Sequence, residues 1–101
     1  YDFNNALIDI NYAISLDPNV AYFYYNRANI YVLSGDMPQA IADYTKAIEL
    51  DDKFASAFYN RGLVQIYLKE NKKGYLDLSR AGELGLKNAY EVIKKYMQTE
   101  K

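Results

Sequence analysis

Along the chain, apolar side chains recur every three or four positions. Tyr24, Ala28 and Tyr31 form one stripe, and Ala40, Ile41, Tyr44, Ala47 and Ile48 form another. At about 3.6 residues per turn, each set lies on one face of an amphipathic helix. The stripes stop where the chain carries residues that cannot continue a helix. Gly35-Asp36 separates the first from the second, with Asp36 placed to cap the next helix and Pro38 in its first turn, where a missing N–H costs nothing. Asp17-Pro18-Asn19 closes an earlier helix, because the residue before a proline is pushed out of the helical region. The pattern predicts helices at about 2–16, 21–34, 37–51, 55–69, 72–84 and 88–99. Every connection is short, so successive helices should pair as antiparallel hairpins.

The hairpins repeat. DINYAISLDPNVAYFYYNRA, from Asp9, realigns on DYTKAIELDDKFASAFYNRG, from Asp43, and a weaker copy opens at Asp77 with DLSRAGELGLKNAY, a period of 34 residues. Setting residues 21–54 against 55–88 pairs Ala21 with Ala55, Tyr25 with Tyr59, Asn26 with Asn60 and Arg27 with Arg61. It also pairs Asp43 with Asp77, Ala47 with Ala81, Glu49 with Glu83, Leu50 with Leu84 and Lys53 with Lys87. Hairpins stacked at a constant period make a solenoid.

On these residues the chain resembles the tetratricopeptide repeat (TPR) family, as a fragment of a bacterial-type member. The family's pattern of a large aromatic, a Leu-Gly pair and Tyr on one helix, then Ala, Phe, Ala and Pro on the next, is met by Tyr24, Arg27-Ala28, Tyr31, Ala40, Tyr44, Ala47 and Asp52. The following copy meets it with Phe58, Arg61-Gly62, Gln65, Gly74, Leu78, Ala81 and Leu86, and the first, partial copy with Ala6, Ile10, Ala13 and Pro18. The resemblance implies an all-α fold, a right-handed superhelix of about six helices in one TPR domain. Residues 1–20 would be the second helix of a truncated repeat, 21–54 and 55–88 full repeats, and 89–101 a C-terminal capping helix. Small residues at Ala28, Ala40, Gly62 and Gly74 should mark close helix crossings. The later copy departs from the pattern at Gln65, at the glycine-free turn Lys69-Glu70 and at Leu86, and Tyr96 stands where a further stacked repeat would need a small residue.

In that family the first helix of each repeat lines a concave groove that binds peptides. The resemblance places Tyr22, Tyr25, Asn26, Asn29 and Leu33 there, then Ser56, Tyr59, Asn60, Leu63 and Tyr67, and on the last helix Tyr90, Ile93, Lys94 and Met97. Spacings of three, four and seven put each set on one helix face independently of the resemblance. Asn26 and Asn60 share a register, and an amide can both donate to and accept from an extended peptide backbone. Asn29, Asn60 and Lys94 also fall at three of the five places of the family's clamp for a C-terminal carboxylate, but Tyr25 and Tyr90 stand where that clamp uses lysine. Arg27 is level with Asp9 and Asp43, and Arg61 with Asp43 and Asp77, which points to ion pairs that set helix register.

Composition narrows the function. The chain of 101 residues has no His and no Cys, which removes the commonest general base and metal ligand together with any thiolate nucleophile. No phosphate loop or metal-ligand spacing is present, so neither an enzyme nor a cofactor is expected. Twelve Lys and Arg are interspersed with thirteen Asp and Glu, a pattern that suits neither nucleic acid nor an anionic membrane. No apolar run is long enough to span a bilayer. The expected partner is a protein or a peptide, and the expected compartment the cytoplasm over the periplasm. Tyr1 stands inside a helical pattern in place of a methionine, so a longer parent chain is expected. The face carrying Ala6, Leu7, Ile10 and Ala13 should then either self-associate or meet further upstream helices. The alternative function is a structural segment of a longer solenoid whose ligand site lies elsewhere.

Overall fold

A computed structural model describes residues 2–100. It contains six helices: α1 (Phe3–Leu16), α2 (Ala21–Ser34), α3 (Met37–Leu50), α4 (Ala55–Tyr67), α5 (Asn71–Glu83) and α6 (Asn88–Thr99). Among the described residues there is no strand. The chain divides into two compact units between Asp52 and Lys53, two residues before the repeat boundary that the 34-residue period marks. The first unit holds α1 to α3 and the second α4 to α6.

Each predicted helix is present, with ends shifted by one or two residues where the caps decide. Asp2 is the N-cap of α1 and not its first residue, its carboxylate accepting the Asn5 N–H at 3.1 Å. Asp36 caps α3 in the same way through the Gln39 N–H at 3.4 Å, with Pro38 in the first turn. Asp17 and Asp51 end α1 and α3 in extended backbone, as an aspartate competing for local hydrogen bonds favours.

The glycine-free turn after α4 ends that helix at Tyr67 and not at 69. Gly35 closes α2 at φ 87°, and the Asp36 N–H reaches back to the Tyr31 carbonyl at 2.8 Å. After α4 the same loop forms, with the Glu70 N–H on the Gln65 carbonyl at 2.8 Å, but the left-handed position is Lys69, at φ 66°. A side chain there crowds its own carbonyl, and glycine does not. Lys69→Gly is therefore expected to raise stability by about 0.5–1 kcal/mol. The check is a higher urea midpoint at unchanged slope, and a lower midpoint would contradict it.

In the first unit α2 packs on both α1 and α3, and in the second α5 packs on both α4 and α6. Tyr24 and Ala28 of α2 are buried with Ala40, Tyr44 and Ala47 of α3. Tyr24 keeps its hydroxyl satisfied by donating to the Pro18 carbonyl at 2.8 Å. In the second unit α4 and α5 cross backbone to backbone. A Cβ at Gly62 would lie 2.9 Å from the Gly74 carbonyl oxygen, and one at Gly74 would lie 2.8 Å from the Gly62 oxygen. The backbones touch because neither residue has a side chain. Gln65, which takes the place of Tyr31 in the later copy, is buried at 8 % exposure.

Candidate binding faces

The face of α2 opposite its buried stripe presents aromatic and amide groups side by side. Tyr22 and Tyr25 stack with ring centroids 6.1 Å apart at 24°, and Tyr25 tilts against Tyr44 of α3 at 6.0 Å and 55°. Tyr44 is 1 % exposed, so Tyr25 is held from beneath while Tyr22 stays open at 58 %. Asn26 and Asn29 line a cleft of about 430 Å³ with Leu33 and Ile30 of α2 and Ala6, Asp9 and Ile10 of α1. The two amides differ in what they do. Asn29 accepts a short hydrogen bond from the Tyr44 hydroxyl, so its carbonyl oxygen belongs to the α2–α3 packing.

Directly beside this face lies a constellation that recurs in the second unit. Arg27 grips Asp43 with two nitrogens, at 2.7 and 2.8 Å, and its third goes to Asn11 at 2.9 Å. Arg61 grips Asp77 at 2.6 and 2.9 Å. Asp43 and Asp77 are 6 % and 7 % exposed, which makes each fork the neutraliser of an otherwise buried charge. Hydrogen bonding to Asp43 raises the pKa of the Arg27 guanidinium above its ordinary value against the opposing effect of burial. The expectation that Arg27 would also pair with Asp9 is corrected, since its remaining nitrogen takes the Asn11 amide instead. Two further cations complete the pattern. Arg27 and Lys46 flank the Tyr24 ring at 5.6 and 6.0 Å, as Arg61 and Arg80 flank Phe58 at 5.7 and 6.0 Å. Lys46 and Arg80 were legible in the sequence as basic residues one period apart, but nothing local says that a cation stacks on the ring.

In the second unit the expected face residues part company. Leu63 and Tyr67 of α4 line a cleft with Tyr75 of α5 and Tyr96 of α6, and Tyr67 is 70 % exposed. Tyr59 and Asn60 are half-buried on the same helix. Lys94 lies apart from them, in a cleft with Ser79, Tyr90, Ile93 and Met97. The Tyr90 ring lies against the bare Gly82, where a Cβ would come within 2.5 Å of it. Burial pushes the pKa of the Tyr75 hydroxyl up, with the Glu100 carboxylate adding to the shift. Among the described residues no cluster of His, Cys, Asp or Glu is arranged to hold a metal ion, and no helix is long and apolar enough to cross a membrane.

Two family models match the sequence, one described as TPR repeat over residues 28–67 and one as tetratricopeptide repeat over residues 10–42. Solved TPR domains are similar over nearly the whole chain. That of Arabidopsis OM64 is 29 % identical with a TM-score of 0.89, over 98 % of this chain and 83 % of that one. The TPR2B domain of yeast Sti1, in complex with pHsp70, is 28 % identical with a TM-score of 0.88, over 97 % of this chain and 85 % of the other. The second TPR domain of human RPAP3, in complex with the HSP70 peptide SGPTIEEVD, is 27 % identical with a TM-score of 0.82, over 92 % and 79 % of the two chains. No curated protein matches the sequence.

Proposed function

The chain belongs to the tetratricopeptide repeat family, and on that footing we propose that it is a protein-interaction scaffold holding a peptide or protein segment on the exposed faces of α2 and α4, the first helices of its two full repeats. Domains of this family are interaction modules and not enzymes. The observation that carries the proposal is the stacked Tyr22–Tyr25 pair beside Asn26 on α2. Such a pair offers rigid flat contact area with few rotors to freeze, and the amide beside it can bind an extended main chain. Leu63 and Tyr67 offer the second unit's own apolar face, with Tyr59 and Asn60 on the same helix.

The peptides bound by the relatives bear on the kind of ligand. SGPTIEEVD is rich in carboxylates, and a site for such a peptide needs free cations. On α2 the nearest cation, Arg27, is already spent on Asp43, and Tyr25 takes a place where the carboxylate clamp uses lysine. Lys94 sits in a cleft lined otherwise by Tyr90, Ile93, Met97 and polar neighbours from Ser79 to Glu100. We therefore propose recognition of main chain and apolar side chains, with affinity nearly independent of salt.

Panning displayed peptides against the immobilised chain tests this. The expected outcome is selection of internal, apolar sequences, with Asn26→Ala weakening them by about 1 kcal/mol, one modest hydrogen bond, at unchanged thermal midpoint. Asn29→Ala should act the other way round, lowering the midpoint because the buried Tyr44 hydroxyl loses its acceptor. Selection of peptides ending in acidic residues, with affinity falling steeply as salt rises, would remove the proposal.

A further inference from the structure

A cleft of about 780 Å³ in the second unit brings together three tyrosine rings and a carboxylate. Tyr67 of α4, Tyr75 of α5 and Tyr96 of α6 line it with Glu100. Among the described residues none of these rings stacks on another ring, and none lies under a cation. That sets them apart from Tyr24 and Phe58, each flanked by two of the chain's own cations. The acceptors of the cleft are likewise underused. Asn71 lines it and donates through its amide nitrogen to Glu100, while its carbonyl oxygen is buried with no hydrogen-bond partner. A buried acceptor left in that state costs free energy that an incoming donor would recover. Glu100 makes no ion pair among the described residues. Lys69 lines the same cleft, but it reaches neither a ring face nor a carboxylate.

Rings without a cation, a carboxylate without a counter-charge and a buried acceptor without a donor are met together by one kind of group, a planar cation that carries several N–H bonds. We infer that the cleft receives a single arginine side chain of the bound segment, its guanidinium stacked on tyrosine and forked onto Glu100. The inference rests on the reading of α4 as a face for that segment, since Leu63 and Tyr67 belong to both. The chain builds the same contact twice for itself. Arg27 forks onto Asp43 and lies over Tyr24 at 5.6 Å, and Arg61 forks onto Asp77 and lies over Phe58 at 5.7 Å. A guanidinium has enough N–H groups to serve both Glu100 oxygens and the Asn71 oxygen at once, and its flat face stacks on a ring. A lysine ammonium is compact and does not lie flat, and a quaternary ammonium would leave the Asn71 oxygen without a donor. One ion pair formed in a cleft is screened less than a pair on open surface, so the dependence on salt stays shallow.

N-acetyl-arginine methylamide tests the cleft without any peptide, and the citrulline analogue is its neutral isostere. Titrated into the full chain, the arginine compound should shift the backbone amide resonances of Asn71, Tyr75 and Tyr96 with a dissociation constant on the order of 10 mM, as one side chain allows. The citrulline compound should bind about tenfold more weakly, through loss of the charge-assisted fork. Glu100→Gln keeps an acceptor for the Asn71 amide, so the thermal midpoint should hold while the difference between the two compounds disappears. Lys69→Gly removes the one cation already lining the cleft and should tighten the arginine compound about twofold. An anionic ligand held by Lys69 would give the opposite sign. The inference is overturned if the two compounds shift these resonances equally, if neither shifts them up to about 100 mM, or if Lys69→Gly weakens the arginine compound. Peptides selected on the intact chain should also be enriched in arginine. Apolar peptides selected without arginine would overturn the inference and leave the scaffold reading of α2 standing.

Discussion

Gly62→Leu is expected to destabilise the second unit by about 3 kcal/mol, the upper part of the range for overpacking a closed interior. The added Cβ alone would stand 2.9 Å from the Gly74 carbonyl oxygen and 3.0 Å from Leu78. The first of these contacts is with backbone, which cannot rotate aside, and Leu78 is fully buried. Three further carbons therefore force α4 and α5 apart. Gly62→Ala should show a graded loss, with only the Cβ to accommodate. Gly74→Ala should be at least as damaging, because its Cβ meets Ile66 at 2.5 Å as well as the Gly62 oxygen at 2.8 Å. Urea midpoints of the three variants check the order. A midpoint unchanged in Gly62→Leu would mean that the crossing relaxes without cost, against the packing argument.

Arg27→Ala should cost about 2–3 kcal/mol, below the full value for breaking a buried ion pair because the Arg27 side chain is 23 % exposed. The loss comes less from the attraction given up than from what remains. Asp43, with its side chain 8 % exposed, keeps a carboxylate stripped of water and of both donors. Tyr24 also loses one of its two flanking cations. The companion experiment separates these contributions. Replacing both partners, as Arg27→Met with Asp43→Leu, removes the stranded charge and should recover most of the stability. If the double variant is as unstable as Arg27→Ala, the pair itself, and not the orphaned aspartate, carries the energy.

Much of this architecture was already present in the order of residues. Apolar spacing and the punctuation at Asp17-Pro18 and Gly35-Asp36 located all six helices to within two residues, because these are local effects of side chain on backbone. The family resemblance placed Gly62 and Gly74 at a crossing, and there the two backbones do meet. Local rules stopped at partners. Arg27 is level with two aspartates, and only the packing of α2 on α3 decides that Asp43 receives it while Asn11 takes the third nitrogen. Asn26 and Asn29 were both placed on the groove face of α2 in sequence. Their difference arises because the Tyr44 hydroxyl, delivered by another helix, ends at Asn29. Lys94 shares the helical register of the other face residues, yet it lies away from Leu63 and Tyr67. On α6 the Tyr90 ring lies against Gly82, and Tyr96 lines the cleft that Leu63 and Tyr75 also line. Periodicity records which residues share a face of a helix; which neighbour that face meets depends on the volumes and hydrogen bonds of residues distant in the chain, and these are decided only when the helices pack.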